Sequence, residues 1–154
     1  FSRHNFVKIL AKIRRMLYNI RYMAVFISHS PEETHAWAEA FAKTLSAGDV
    51  VLLEGEMGAG KTVLAQGIAR GLGVTEDVLS PTYAYVNSYG PLFHFDCYRI
   101  GSERQAEELG FADYFEAGKV CLVEWSENIR GLLPEHCKTI FIRKIGERER
   151  EIVT

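Results

Sequence analysis

The segment Gly55-Glu56-Met57-Gly58-Ala59-Gly60-Lys61-Thr62 follows the apolar run 50–53 and precedes a stretch of helical periodicity. The pattern GxxxxGKT between a strand and a helix predicts a P-loop, because glycines let backbone N–H groups point inward at phosphate oxygens. Lys61 is expected to reach the β- and γ-phosphates of a nucleotide, and Thr62 to offer its hydroxyl to magnesium. The residues expected around the phosphates are Glu56, Met57, Gly58, Ala59, Gly60, Lys61, Thr62 and Val63.

A second buried strand is predicted at Val120-Cys121-Leu122-Val123-Glu124, and it ends in an acid. A P-loop needs an acidic partner to hold magnesium, usually at the end of a neighbouring buried strand. We therefore predict that Glu124 is the carboxylate on the metal side of the site. The alternative is a solvated carboxylate at a strand end, which many proteins have.

The segment His94-Phe95-Asp96-Cys97-Tyr98-Arg99 is the third candidate for chemistry. Strand alternation places His94, Asp96 and Tyr98 on one face and the intervening apolar residues on the other. Asp96 is predicted to position water or magnesium near the γ-phosphate, and His94 and Tyr98 to be hydrogen-bonded packing residues. The HxD spacing also suits half of a zinc site, but no further His or Cys cluster in the sequence completes one.

Strands and helices alternate along the chain, which is typical of an α/β domain. Ser30, Pro31 and Glu33 mark a helix start, with an N-cap serine, a proline in the first turn and a glutamate at the third position. The sequence predicts a three-layer P-loop fold with a mainly parallel mixed sheet and antiparallel additions. The predicted strands are 24–27, 50–54, 83–86, 92–97, 119–125, 139–144 and 148–153, and the predicted helices are 31–46, 61–72, 102–109 and 111–115.

Length and charge limit the class of protein. The chain has 154 residues, of which 47% are hydrophobic and 25% charged, which fits one globular domain and excludes a disordered protein. Residues 1–22 contain six basic residues and no acid, which leaves 12 bases against 20 acids in the rest. This acidic body disfavours a broad nucleic-acid-binding face, because such faces carry basic residues that displace counterions.

We divide the chain into a basic amphipathic extension, residues 1–22, and a P-loop domain, residues 23–154. The extension suits a helix that contacts RNA, a partner or a membrane surface, or it is upstream sequence ahead of a start at Met23; we favour the second interpretation. No apolar run is long enough to span a membrane, and the three cysteines form no CxxC pair. These features predict a cytoplasmic protein.

Four motifs in this order resemble the TsaE family, also called YjeE: the P-loop, Ser80-Pro81-Thr82-Tyr83, the segment 94–99 and Glu124-Trp125. The family comprises small bacterial P-loop ATPases required for threonylcarbamoyladenosine modification of tRNA. The resemblance covers about residues 28–148 and implies binding and slow hydrolysis of ATP with Mg²⁺. It also implies a TsaD/TsaB-type protein complex as the partner, with tRNA contacted indirectly and no membrane involved. Ser126 departs from the family, in which a proline is common at this place.

The resemblance also assigns roles to particular residues. It implies that magnesium lies at Thr62 and Glu124 and that Asp96 has a functional role. With the interpretation of the motifs above, Lys61, Asp96 and Glu124 are the candidate catalytic residues, and Asp96 is a further candidate for the magnesium site. The residues implied to contact the nucleotide beyond the P-loop are Ser30, Thr34, Glu127 and Arg148, and those implied to act as a switch or to face the partner are Thr82, Tyr83, Tyr98, Arg99 and Trp125.

Two other functions are compatible with a P-loop. A small-molecule kinase would need an acceptor pocket and an arginine-bearing lid that excludes water, whereas Arg99, Arg104 and Arg130 are scattered along the chain. A nucleotide-gated binding module would bind its partner in an ATP-dependent way and release no phosphate. A guanine-specific site is disfavoured, because the sequence has no NKxD motif.

Overall fold

The computed structural model describes residues 24–81 and 83–154, and in this part of the chain all strands join one seven-stranded sheet. The predictions made for residues 1–22 and for Thr82 lie outside the described residues. The strands are β1 (Val25–Ser28), β2 (Val50–Glu54), β3 (Val86–Tyr89), β4 (Leu92–Asp96), β5 (Val120–Glu124), β6 (Cys137–Lys144) and β7 (Arg150–Val153). They lie in the order β1-β7-β6-β2-β5-β4-β3. The four strands β6, β2, β5 and β4 are parallel, and antiparallel pairs complete both edges.

Helices cover both faces of this sheet, which confirms the predicted three-layer α/β fold. Those in the described residues are α1 (Pro31–Ala42), α2 (Lys61–Gly71), α3 (Glu103–Glu108), α4 (Phe111–Phe115) and a 3-10 helix (Ser126–Leu132). One core lies between the sheet and α1 and α2, and the other between the sheet and α3, α4 and the 3-10 helix. Alternate residues of a buried strand point to opposite faces, so Leu122 joins the first core and Val123 the second. None of these helices is long and apolar enough to cross a membrane.

Helix α1 begins as predicted and ends earlier than predicted. The Ser30 hydroxyl accepts the Glu33 backbone N–H at 3.1 Å, and the His29 N–H donates to the Glu33 carboxylate at 2.8 Å. The helix ends at Ala42 and not at residue 46, because the next three backbone N–H groups bond to carbonyls three residues earlier. The Thr44 hydroxyl also donates, at 2.7 Å, to the Phe41 carbonyl that accepts the Thr44 backbone N–H. The predicted last turn is therefore tightened and no longer α-helical.

Strand β3 lies three residues later than the predicted strand 83–86. Tyr89 pairs with Leu92 across the two-residue turn Gly90-Pro91, so the ladder continues three residues beyond the predicted end of the strand. Tyr85 has a φ of 56°, a left-handed conformation that an extended strand does not contain. The chain therefore bends before the ladder starts. All other predicted elements agree with the structure within two residues at each end.

The parallel register brings the candidate acids together. Asp96 of β4 is the register partner of Glu124 of β5, and Leu53 of β2 is the partner of Glu124 on the other side. All three residues lie at the carboxyl end of the parallel strands, where open α/β sheets bind their ligands. The P-loop starts two residues after Leu53, so it leaves the sheet beside both carboxylates.

Candidate nucleotide and magnesium site

The P-loop joins β2 to α2, and two of its glycines are required by the geometry. A Cβ on Gly55 would lie 2.5 Å from the Ile142 carbonyl oxygen, so a larger residue could not pass strand β6 at this point. Gly60 has a φ of 116° and caps α2, a conformation that favours glycine. Helix α2 thus begins directly at Lys61, and the N–H groups of its first turn, which have no intrahelical partners, lie at the loop. This arrangement is an anion-binding one.

Lys61 is held inside the loop although it carries a charge. Its side chain is buried, with 8% of the residue exposed. Its ammonium group donates to the carbonyls of Gly55 and Glu56 and lies 4.9 Å from the centre of the Trp125 ring. These neighbours are neutral, and phosphate oxygens would be stronger acceptors for an ammonium group than carbonyls are.

A cavity of about 350 Å³ brings the predicted catalytic groups together. Glu124 is 4% exposed, and its Oε1 lies 2.9 Å from Nε2 of the buried His94. Asp96 is half-buried, and its Oδ1 accepts the backbone N–H of Tyr98 at 3.0 Å. The cavity is lined by Met57, Gly58, Gly60, Lys61, Thr62, Ser80, Asp96, Tyr98, Glu124 and Trp125.

The oxygen groups in this cavity fit a magnesium ion that is shared with a nucleotide. In the described residues, no group of three or more His, Cys, Asp or Glu is arranged to hold a metal ion. Magnesium, however, is usually bound by one or two carboxylates together with substrate phosphates and water. Thr62, Asp96 and Glu124 supply a hydroxyl and two carboxylates next to the P-loop. The donor set therefore suits Mg²⁺ bound to nucleotide phosphates and not a metal held by the protein alone.

Trp125 forms one wall of the cavity in an unusual backbone conformation. Its φ is 57°, and the chain turns there from β5 into the 3-10 helix. The Trp125 ring lies 4.9 Å from the ring of Tyr98. Immediately after it, the Ser126 hydroxyl donates to the Glu54 carboxylate at 2.5 Å. A proline at position 126 could not make this hydrogen bond, so the departure from the family pattern ties the 3-10 helix to the end of β2.

A smaller cavity of about 150 Å³ lies on the other side of the α2 start. Two of the four residues predicted to contact the nucleotide beyond the P-loop, Thr34 and Arg148, line this cavity. Thr34 is 2% exposed, and its hydroxyl lies 2.7 Å from the Ser28 hydroxyl. Ser30, whose hydroxyl caps α1, does not line it. The full lining is Pro31, Thr34, Gly60, Val63, Glu147, Arg148 and Arg150.

Glu127 lies apart from Thr34 and Arg148. It lines a third cavity, of about 660 Å³, together with loop residues such as Met57 and with Phe141 of β6. The structure therefore does not bring the four predicted residues into one cavity. Arg148 lines its cavity together with Pro31, the first residue of α1. The backbone N–H of Glu32, then the Ser30 hydroxyl, and to a smaller extent the positive charge of Arg148 lower the pKa of Glu32.

Sequence reasoning missed the part that Arg150 plays. Its Nε donates to the Ala59 carbonyl of the P-loop at 2.7 Å, and its Nη1 donates to the Glu149 carbonyl at 2.9 Å. The guanidinium group thus joins the loop to the hairpin between β6 and β7. Arg150 and Ala59 are 91 residues apart, and no local pattern in the sequence signals their contact.

His94 is the second residue whose contact was not anticipated. Its placement as a hydrogen-bonded buried residue was expected, but its partner was not. That partner is Glu124, 30 residues further along the chain. The signal available in the sequence was the strand alternation that puts His94 on the same face as Asp96.

A family model described as "Threonylcarbamoyl adenosine biosynthesis protein TsaE" matches residues 28–152. A Bacillus subtilis (strain 168) protein named tRNA threonylcarbamoyladenosine biosynthesis protein TsaE is 45% identical over 127 residues, which cover 80% of this chain and 79% of that protein. A protein of the same name from Treponema pallidum (strain Nichols) is 35% identical over 82% of this chain and 96% of its own length. The crystal structure of Bacillus subtilis YdiB matches with a TM-score of 0.74 and 38% identity, over 85% of this chain and 83% of that one.

Proposed function

This chain belongs to the TsaE family of tRNA threonylcarbamoyladenosine biosynthesis, and from that membership we propose that it is a magnesium-dependent ATPase with slow intrinsic turnover. We propose further that its hydrolysis cycle acts on a TsaD/TsaB-type protein complex, through which tRNA is contacted indirectly. The observation that carries the ATPase proposal is the cavity of about 350 Å³. In it, a buried lysine, a threonine hydroxyl and two carboxylates meet beside the P-loop and the start of α2.

The proposed catalysis consists of positioning and charge neutralisation, which dominate phosphoryl transfer. Lys61 exchanges its two loop carbonyls for oxygens of the β- and γ-phosphates, while backbone N–H groups of the loop hold the remaining oxygens. Thr62 and Glu124 hold magnesium, which neutralises phosphate charge when it is bound. Asp96, the register partner of Glu124, orients the water that attacks the γ-phosphate.

A line of contacts from the surface to Lys61 supports coupling to a partner. Tyr83 is 85% exposed, and the Arg99 guanidinium lies 5.3 Å from the centre of its ring. The next residue back in the chain, Tyr98, contacts Trp125, whose ring lies 4.9 Å from the Lys61 ammonium group. A protein that binds Tyr83 and Arg99 would therefore act on groups that contact the phosphate site. The acidic body also suits a protein partner better than direct binding of tRNA.

The test is ATP hydrolysis with Mg²⁺, measured for the chain alone and then with TsaD and TsaB. We expect slow basal turnover that changes when both partners are added. Lys61→Ala and Glu124→Ala should remove turnover in both conditions. Tyr83→Ala, at an exposed residue outside the cavity, should keep basal turnover and lose the change caused by the partners.

Three results would contradict the proposal. Turnover that both alanine variants retain would mean that the cavity is not the catalytic site. Turnover that requires a small hydroxyl compound as acceptor would indicate a kinase. Partner binding that depends on ATP without any release of phosphate would indicate a nucleotide-gated binding module.

A further inference from the structure

His94 is a buried polar side chain with a single hydrogen bond. The residue is fully buried, and Nε2 lies 2.9 Å from Oε1 of Glu124. The other ring nitrogen, Nδ1, is buried and has no hydrogen-bond partner among the described residues. A buried donor without an acceptor is costly, and a bare ring nitrogen is the cheaper alternative. The ring hydrogen is therefore placed on Nε2, where it is donated to the Glu124 carboxylate.

Both ends of this hydrogen bond are fixed by the sheet. His94 is on β4 and its register partner on β5 is Leu122, so the imidazole reaches diagonally to the residue two positions further along β5. The two strands are paired from Leu92 to Asp96, so neither backbone can shift without breaking the ladder. In this position the imidazole holds Oε1 of Glu124, which lines the cavity.

From this contact we propose that His94 is the positioning residue of the magnesium site, an inference that rests on the proposed function. Its Nε2–H holds Oε1 of Glu124 in the orientation that binds Mg²⁺, and it touches neither the ion nor the nucleotide. Partners of this kind, one hydrogen bond removed from a metal, typically change metal affinity or activity by roughly 10- to 100-fold when they are lost. Such hydrogen-bond partners raise metal affinity because a carboxylate without one rotates freely and must be ordered each time it binds an ion.

The experiment measures binding of a fluorescent ADP analogue by the full chain as a function of Mg²⁺ concentration, with a parallel series in EDTA. His94→Leu should raise the Mg²⁺ midpoint by roughly tenfold or more, and binding in EDTA should not change. His94→Gln carries an amide N–H at about the position of Nε2 and should restore the midpoint to within about threefold of the wild type. His94→Asn, whose amide is one bond shorter, should behave like the leucine variant.

The matched control is Leu92→Ala, because Leu92 is equally buried and lies two residues earlier on the same face of β4. It should lower thermal stability and leave the Mg²⁺ midpoint unchanged, which separates positioning from general packing. A folded His94→Leu variant with the wild-type midpoint, or a glutamine variant as weak as the asparagine variant, would overturn the inference. If the leucine variant does not fold, the difference in Mg²⁺ midpoint between His94→Gln and His94→Asn still tests the inference. A wild-type chain whose nucleotide binding ignores Mg²⁺ would instead refute the proposed function.

Discussion

Charged side chains are partly exposed at the amino end of the parallel strands and buried at their carboxyl end. At the amino end, Asp49 accepts hydrogen bonds from the Lys138 ammonium group at 2.5 Å and from the Ser46 backbone N–H at 2.9 Å, and both charged side chains stay partly exposed. At the carboxyl end, Lys61 and Glu124 are buried, and their neighbours are carbonyls, a ring and a histidine.

This difference separates a structural charge pair from a functional site. Exposed pairs of opposite charge contribute little to stability, because water solvates both groups. Burying charged groups is costly, and such groups persist where function requires them. We therefore expect changes at the carboxyl end to alter nucleotide chemistry, and changes at the amino end to alter stability alone.

The largest effect is expected from Lys61→Ala. In the proposed mechanism the ammonium group neutralises the transferred phosphate, so ATP turnover should fall by about 10³-fold or more when it is lost. Thermal stability should not fall, because the buried charge goes with the side chain. The matched control is Lys119→Ala at the amino end of β5, where Lys119 also lies over a ring, 4.6 Å from the centre of Phe93. If both variants lost turnover to a similar extent, the proposed difference in function between the amino and carboxyl ends of the parallel strands would be wrong.

A smaller loss is expected from Glu124→Gln, which keeps the shape and removes the charge. Turnover at saturating ATP should fall by about 10²-fold, and the Mg²⁺ concentration needed for half-maximal turnover should rise. Asp96→Asn should reduce turnover with a smaller change in the Mg²⁺ requirement, because Asp96 is assigned to the water. Equal shifts in the Mg²⁺ requirement for both variants would show that the two carboxylates bind the ion together.

Arg150→Ala should weaken nucleotide binding and leave the rate at saturating ATP nearly unchanged. The hydrogen bond to the Ala59 carbonyl involves a charged donor, whose loss costs about 1.5 kcal/mol, or about tenfold in the Kd. The control is Arg143→Ala, because the Arg143 guanidinium pairs with Glu151 on the neighbouring strand and, among the described residues, makes no hydrogen bond to the P-loop. Titration with a fluorescent ATP analogue measures the Kd of both variants. An unchanged Kd for the Arg150 variant would mean that the loop holds its shape without the hairpin.

The position of the P-loop and of its neighbouring acids in the fold was predictable because its signals are local. The glycine spacing, Lys61 and Thr62 lie in one segment, and Glu124 ends a run whose apolar residues identify a buried strand. The shared chain direction of β2 and β5 then brings both segments to the same edge of the sheet. The alternation of side chains on β4 likewise placed Asp96 on the correct face.

Contacts made over a long separation were not predictable. Arg150 reaches Ala59, and Ser126 reaches Glu54, through the order of strands in the sheet, which no local pattern encodes. The start of β3 was placed wrongly for a different reason. The left-handed backbone at Tyr85 interrupts a segment whose residues favour a strand, so tertiary structure overrides local preference there.

The smallest effect is expected at the amino end, from Asp49→Asn. The hydrogen bond from Lys138, and after it the Ser46 backbone N–H, lower the pKa of Asp49 below its ordinary value of 3.8. A lowered pKa means that the folded state holds the carboxylate more firmly than the unfolded state does. The stabilisation is therefore present at neutral pH and is lost as the pH falls through the folded-state pKa.

Because both side chains are partly exposed, removing the charge of Asp49 should lower the free energy of unfolding at pH 7 by only about 0.5 kcal/mol. Urea unfolding between pH 3 and pH 7 measures this difference, which should shrink at the acid end. Lys138→Met should cause the same loss, and the double variant should lose no more than either single one, since both remove the same pair. ATP turnover should be unaffected throughout. Any change in turnover here would show that the charges at the two ends of the sheet are coupled, and the contrast between a structural pair and a functional site would fail.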